Sequence, residues 1–190
     1  VRPAEPDPLR PGPPDPFDRW LAEVSADRVI GERARTGWLA RQAAEDATWR
    51  GALADLAERG RPVLVELRSG RRHRGTVAVI GHDFLVLRPA DGSDVLVALD
   101  AIAVLWPSPG DGPVTGDREP PSLTTIGEAL AGLAAGGQEV AVWTAGASVA
   151  VVGEIAAVGR DLVTLAVAGE RGWAYLALAS VAEVSLVDSG

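Results

Sequence analysis

The sequence predicts a mainly β chain with N-terminal α-helices: two tandem, small, five-stranded barrels, each preceded by a helix. Three observations carry this expectation. The chain repeats itself: Leu53, Leu56, Gly60 and Val63 recur 77 positions later as Leu130, Leu133, Gly137 and Val140. Gly75, Gly81, Asp83 and Leu87 recur 78 positions later as Gly153, Gly159, Asp161 and Leu165, and Leu99, Ile102 and Leu105 recur 79 later as Leu178, Val181 and Val184. The offset grows in single steps, as it would if one-residue insertions had landed in the loops of a duplicated unit. After Gly60 the apolar period changes from helical to strand-like. Several of the strands are apolar on both faces, as in a small closed barrel rather than a one-sided sheet.

Bulk composition bounds the function classes. The 190 residues hold two units of roughly 55 to 60 residues, a size at which each buries too little surface to be robust alone. Each unit therefore leans on the other copy, the N-terminal helix or a partner chain. Hydrophobic residues make up 47% of the chain, too many for disorder. There is no apolar run of ~18 residues, so no membrane span is expected. The first residues, Val1 to Pro16, are proline-rich and acidic, unlike a signal peptide. With no cysteine, neither a disulfide scaffold nor a thiolate metal site is available, and a cytoplasmic location is the expectation. The net charge of −8 argues against a general nucleic-acid binder. Its distribution is uneven, slightly basic through 61–106 and strongly acidic in 107–190. All 18 basic residues are Arg; with so much Ala, Gly, Val and Leu, this fits a GC-rich genome and weakens any argument from Arg enrichment.

The elements follow in order. Residues 1–14 hold six prolines and no apolar periodicity, and read as a disordered tail. Residues 15–60 read as a helical region. Asp15-Pro16 resembles an N-cap with proline at the first helical position, and Phe17, Trp20, Leu21 and Val24 follow at helical spacing. Helical composition continues from Glu32 to Arg59, with Trp49, Leu53 and Leu56 as an apolar stripe. Gly60 then suits a helix C-terminus and Pro62 forbids continuation. Residues 61–106 form the first barrel, its own helix beginning at about 52. Its strands are expected at Val63–Leu67, His73–Ile80, Phe84–Leu87, Val95–Ala98 and Ala101–Leu105, with Gly75 at a bend or bulge. Residues 107–122 are a Pro/Gly-rich linker, and 123–187 carry the second helix and barrel. There, Thr124 or Thr125 caps the helix, with Glu128 as the capping-box partner of Thr125. Strands are expected near 139–144, 148–158, 161–167, 172–177 and 180–187.

The run Val63-Leu64-Val65-Glu66-Leu67-Arg68-Ser69-Gly70, then Gly75-Thr76-Val77 and Phe84-Leu85-Val86-Leu87, resembles the first motif of the Sm-like fold, a variant of the SH3-like barrel. The likeness covers about 53–106 and 130–187. It implies tandem Sm-like barrels and, by analogy alone, RNA binding. Sm proteins that bind RNA carry Asp-x-x-Met-Asn between strands two and three and Arg-Gly between strands four and five. Here those loops read Gly81-His82-Asp83-Phe84-Leu85 and Ala98-Leu99-Asp100-Ala101, so no RNA-pocket asparagine or arginine transfers. Separately, Glu23-Val24-Ser25-Ala26-Asp27-Arg28, Glu32-Arg33-Ala34-Arg35 and the Val-Gly-x-Asp turns are similar to a group of uncharacterised proteins from high-GC Gram-positive bacteria, which brings no activity with it.

Few residues suggest chemistry. Arg68, Arg71, Arg72, His73 and Arg74 form the one dense basic cluster. It reads either as a phosphate-contacting patch or as a solvated hairpin tip, and the second copy is almost uncharged there. Gly75, Gly81, Asp83, Gly153, Gly159 and Asp161 read as structural turn residues, the aspartates accepting backbone N–H bonds. His73 and His82 lie in separate hairpins without carboxylates at metal-ligand spacing. No nucleophile accompanies them, so no catalytic residue, cofactor, metal or small-molecule substrate is expected. The six tryptophans read as packing residues rather than base-stacking platforms. The expectation is a non-enzymatic structural or interaction module. Its edge strands would meet a protein partner or a second copy. The alternative is an RNA- or DNA-binding protein working through the basic hairpin.

Overall fold

The computed structural model describes residues 47–116, 118, 122–169 and 172–187, together with 38 and 45. The chain divides into two compact units, Val1–Glu45 and Asp46–Gly190. In the first, Trp38 and Glu45 are helical and exposed. The expected tail at 1–14 and the amphipathic segment Phe17–Val24 lie outside the described residues.

The second unit opens with helix α1, Trp49–Arg59. The expected helix from Glu32 is interrupted at Thr48, which is extended (φ −113°, ψ 157°) and whose hydroxyl accepts the Gly51 N–H. An N-cap must leave helical geometry to reach that amide, so Thr48 starts a new helix rather than continuing one. The C-terminus matches expectation: Gly60 is left-handed, φ 61°, a conformation glycine adopts without a Cβ clash. Leu53 and Leu56 are buried, whereas Trp49 at the start of the stripe is 41% exposed.

Five strands follow: β1 Val63–Leu67, β2 Arg72–Ile80, β3 Phe84–Arg88, β4 Val95–Ala98 and β5 Ile102–Trp106, with a short 3-10 turn at Leu99–Ala101 before β5. Helix α2, Ile126–Ala134, begins at a full capping box between Thr125 and Glu128. Then come β6 Glu139–Thr144, β7 Val151–Val158, β8 Leu162–Val167, β9 Gly172–Ala177 and β10 Val181–Leu186, again with a 3-10 turn, Leu178–Ser180, before the last strand. The registers of the two strand sets correspond. Val63 lies opposite Gly75 as Val140 lies opposite Gly153. The bulge between Val77 and Val79 has its counterpart between Ile155 and Ala157. The bulge expected at Gly75 falls two residues later, and Gly75 and Gly153 instead sit where β2 and β7 press on their neighbours. A Cβ would lie 2.6 Å from the Arg88 carbonyl oxygen at Gly75 and 2.4 Å from that of Ala166 at Gly153. Gly81 is equally constrained, by the Phe84 ring at 2.1 Å, whereas Gly159 meets only ordinary contacts.

The expected pair of closed five-stranded barrels is not what forms. All ten strands join one open antiparallel sheet in the order β5-β1-β2-β3-β4-β10-β6-β7-β8-β9. The join is between β4 and β10, where Val97 faces Glu183, Leu96 faces Val184 and Val95 faces Ser185. The edge of β4 is satisfied by a strand of the other set instead of by its own β5. The physical reason lies in β4 itself, all four residues of which are buried. Val95 and Val97 enter a core with Leu53, Val65 and Leu87, while Leu96 and Ala98 enter a second core with Ile126, Leu130 and Val142. A strand that is apolar on both faces fits a closed barrel, and it fits equally a strand shared between two cores.

The proline-rich stretch after β5 is tied along α1. The Asp55 carboxylate accepts the N–H groups of Thr115 (2.8 Å) and Gly116 (2.9 Å) and the Thr115 hydroxyl (3.0 Å). These bonds, led by the Gly116 amide, outweigh desolvation and hold the Asp55 carboxyl below its ordinary range. Arg59 donates to the carbonyls of Gly112 (2.7 Å) and Pro113 (2.9 Å), and Arg61 pairs with Asp111.

Gly153→Ala should lower stability by about 1–3 kcal/mol, because its Cβ has no room against β8. Gly132→Ala, in α2 with open space around it, should raise stability by about 0.5–1 kcal/mol. Urea titration measures both, and a neutral Gly153→Ala would show that β7 and β8 are not held this close.

Candidate functional site

The first hairpin carries the basic cluster, and its turn is set by Gly70 at φ 85°. Strand periodicity then distributes the cations to different environments. Arg68 donates to the Asp100 carbonyl at 2.7 Å. Arg72 binds Glu66 across the β1–β2 pair at 3.0 Å. Arg74 is exposed and has no partner among the described residues. Arg71 and His73 turn toward the other strand set and meet Glu183.

Glu183 is the focal residue. It is 1% exposed, the only charged side chain in the buried core of the described residues. It stands on β10 opposite Val97 of β4 and Trp143 of β6. Arg71 grips it with two bonds of 2.8 Å, Nε to Oε2 and Nη2 to Oε1, the bidentate fork that guanidinium and carboxylate favour. His73 Nε2 lies 2.9 Å from the same Oε2, close enough for an ion pair but off the line of a directed hydrogen bond. The Arg71 guanidinium also stacks over the Trp143 ring, 4.0 Å from its centre. Burial pushes the Glu183 carboxyl up, but His73 and Arg71 outweigh it and hold the group below the ordinary glutamate range. Glu183 in turn raises the affinity of Arg71 for its proton.

Sequence reasoning placed Arg71 and His73 in a cluster but missed the carboxylate they serve. The signal was a lone acid in the apolar run Val181-Ala182-Glu183-Val184, at a position where the first copy has Val104. The cluster does not converge on a common surface: four of its five members are engaged by protein groups.

The two turn aspartates differ in role. Asp83 accepts the Leu99 N–H through its carbonyl (2.9 Å), as Asp161 accepts that of Leu178 (2.8 Å). The Asp83 carboxylate goes further and accepts the Ile126 N–H at 2.7 Å, capping α2 across the junction of the two sets. The Asp161 side chain is exposed and makes no such bond among the described residues. Beside this junction lies a cavity of about 340 Å³ lined by Arg68, Asp83, Asp100 and Ser180 among others, and Asp83 and Arg68 already have protein partners there.

A second feature stands out at the far edge. On β9, Trp173 is 59% and Tyr175 66% exposed, and Leu162 beside them on β8 is 39% exposed. Tyr175 lies opposite Thr164 and Ala177 opposite Leu162. The corresponding pairs in the first set are Leu96 opposite Val86 and Ala98 opposite Phe84. There Phe84 is 3%, Leu96 7% and Ala98 9% exposed, covered by α2 and β10. The tryptophans thus depart from the packing role expected of them. Trp38, Trp49, Trp106 and Trp173 are all exposed, Trp143 is half-buried beneath Arg71, and Trp20 lies outside the described residues.

Among the described residues, no three His, Cys, Asp or Glu side chains converge on a metal-sized site, and no helix is long and apolar enough to cross a membrane. Compared with known proteins, the chain matches no family model and no curated protein.

Glu183→Gln should cost about 3 kcal/mol near neutral pH, the low end for stranding a buried ion-pair partner because Arg71 remains a third exposed. The pH dependence has a fixed sign. With a folded value depressed below the reference of 4.5, Glu183 stabilises the protein above that pH and loses its contribution as acid protonates it. Urea midpoints measured from neutral pH into acid should therefore fall less steeply for Glu183→Gln than for wild type. Parallel acid limbs would remove Glu183 from this role.

Proposed function

We propose that this chain is a non-enzymatic structural or interaction module, built on a duplicated helix-and-five-strand unit and working through the open sheet edge at β9. One observation carries the reading. The β8–β9 face of Leu162, Tyr175 and Ala177 lies bare, while the corresponding face of Phe84, Leu96 and Ala98 is buried by another helix and strand. The chain itself thus supplies an example of how such a face is covered. An edge strand offers a row of free N–H and C=O groups to an incoming strand. Exposed Trp and Tyr beside it supply apolar area at low entropic cost, the composition of interface anchors.

The alternative, nucleic-acid binding through the first hairpin, loses support from the same geometry. Glu183 grips Arg71 and Glu66 pairs with Arg72, which leaves Arg74 and Arg68, the latter bonded only to a neutral carbonyl, to meet a phosphate. A net charge of −8 opposes it further.

A photo-crosslinking amino acid placed at Tyr175 should trap a discrete polypeptide in cells, and the same group at Arg74 should not. Single-stranded RNA and DNA should show no salt-sensitive anisotropy change with tens of micromolar protein. Nucleic-acid adducts from Arg74, with none from Tyr175, would reverse the assignment.

A further inference from the structure

We propose that the occupant of the β9 edge is a second copy of this chain. It enters head to tail with β5 and the start of α1, in the geometry by which β10 and α2 cover β4 within one chain. This rests on the reading of β9 as an interaction edge and names its partner.

The internal junction supplies the template. Within the chain, β10 lies antiparallel to β4, with Val184 opposite Leu96 and Ser185 opposite Val95. The strand corresponding to β10 is β5: Val65 pairs with Leu105 as Val142 pairs with Val184, and each pairing carries a bulge at the same place. The strand corresponding to β4 is β9. Strands β5 and β9 are the two edges of the sheet. Laying one on the other sets Leu105 of one copy against Tyr175 of the next.

The polar bonds of the junction recur as unmade halves. Inside the chain, the Asp83 carboxylate takes the first amide of α2, that of Ile126. The carboxylate of its counterpart Asp161 is exposed, and among the described residues neither it nor the first amide of α1, that of Trp49, has a partner. Ile126 is 6% exposed where it meets the first set, whereas Trp49 in the same helical position is 41% exposed.

The side chains at the centre of the junction change together. Internally, Glu183 needs Arg71 and His73. Across β5 and β9, the position of Glu183 is taken by Val104, and those of Arg71 and His73 by Val149 and Val151. Val149 is 75% exposed in the single chain. A carboxylate matched by an arginine and a histidine has been exchanged for a valine matched by two valines, so each junction is complementary to itself. The crossed pairing, β10 of one copy on β9 of another, would bury Glu183 against valines with no cation. Glu66, which replaces Trp143, is already paired with Arg72 of its own chain. An interface between unlike surfaces closes into a ring or runs on as a filament, according to its rotation.

Analytical ultracentrifugation of the full chain should show mass rising with concentration beyond the monomer. Tyr175→Arg blocks the β9 face and Val104→Glu blocks the β5 edge, each by burying an unpaired charge. Either alone should weaken association by roughly a hundredfold. Far-UV circular dichroism and thermal unfolding check that both variants are folded. The decisive step is mixing. Tyr175→Arg keeps a good β5 edge and Val104→Glu keeps a good β9 face, so the mixture should form a one-to-one dimer that neither makes alone. A wild-type chain that stays monomeric at ~100 μM, a range covering weak association, overturns the proposal. So does association that survives either substitution, or a mixture that fails to pair. The photo-crosslink at Tyr175 separates the two levels. An adduct with a different polypeptide keeps the interaction edge and removes self-association; no adduct removes both.

Discussion

The buried Glu183 carboxylate is the constraint around which the rest of the structure is arranged. Burying an ionised group is costly unless opposite charge and directed hydrogen bonds replace the water it loses. Only the first hairpin provides both here, through the Arg71 fork and His73. Strand β10 must therefore lie where that hairpin reaches it, against β4. With β10 in place, β6 follows through its own pairing to β10, and Trp143 arrives beneath the Arg71 guanidinium. Removing the carboxylate would leave Arg71 without the partner that holds it against the ring.

The same interaction redefines the chain's electrostatics. A sequence with seven arginines and histidines from 68 to 88 invites a search for a phosphate. The folded protein spends most of that charge internally, on Glu183, Glu66 and Asp94. What remains on the surface is apolar and aromatic instead, at β8–β9, at Trp106 and at the start of α1. Charge seals the inner junction, and the outer edges are left to hydrophobic contact.

Much of the local structure was legible in the sequence because it is decided locally. The Thr125–Glu128 box and the left-handed Gly60 follow from short-range sterics and hydrogen bonding. The strand positions follow from period-two alternation. Partner choice is different. Alternation says which side of a strand is apolar but not which strand lies beside it, so β4 could be read as closing on its own β5. The N-cap at Thr48 was hidden because its third successor is Gly51 rather than an acid. The Glu183 site was hidden because its parts lie 112 positions apart along the chain. It could have been found by asking where the two copies differ most in chemistry: Glu183 against Val104, with Arg71 and His73 against Val149 and Val151.

Strand β4 has no polar side. Val95 and Val97 belong to one core, Leu96 and Ala98 to the other. If either core comes apart, four residues lose half of the burial that holds them in the sheet. Stripped of one core, such a strand becomes the exposed, apolar kind of edge that folded chains avoid presenting. The two halves are thus bound to melt together. A loosened side chain in one core is felt in the other through a shared wall only four residues long, and the pair behaves as one cooperative unit in spite of its two-part sequence.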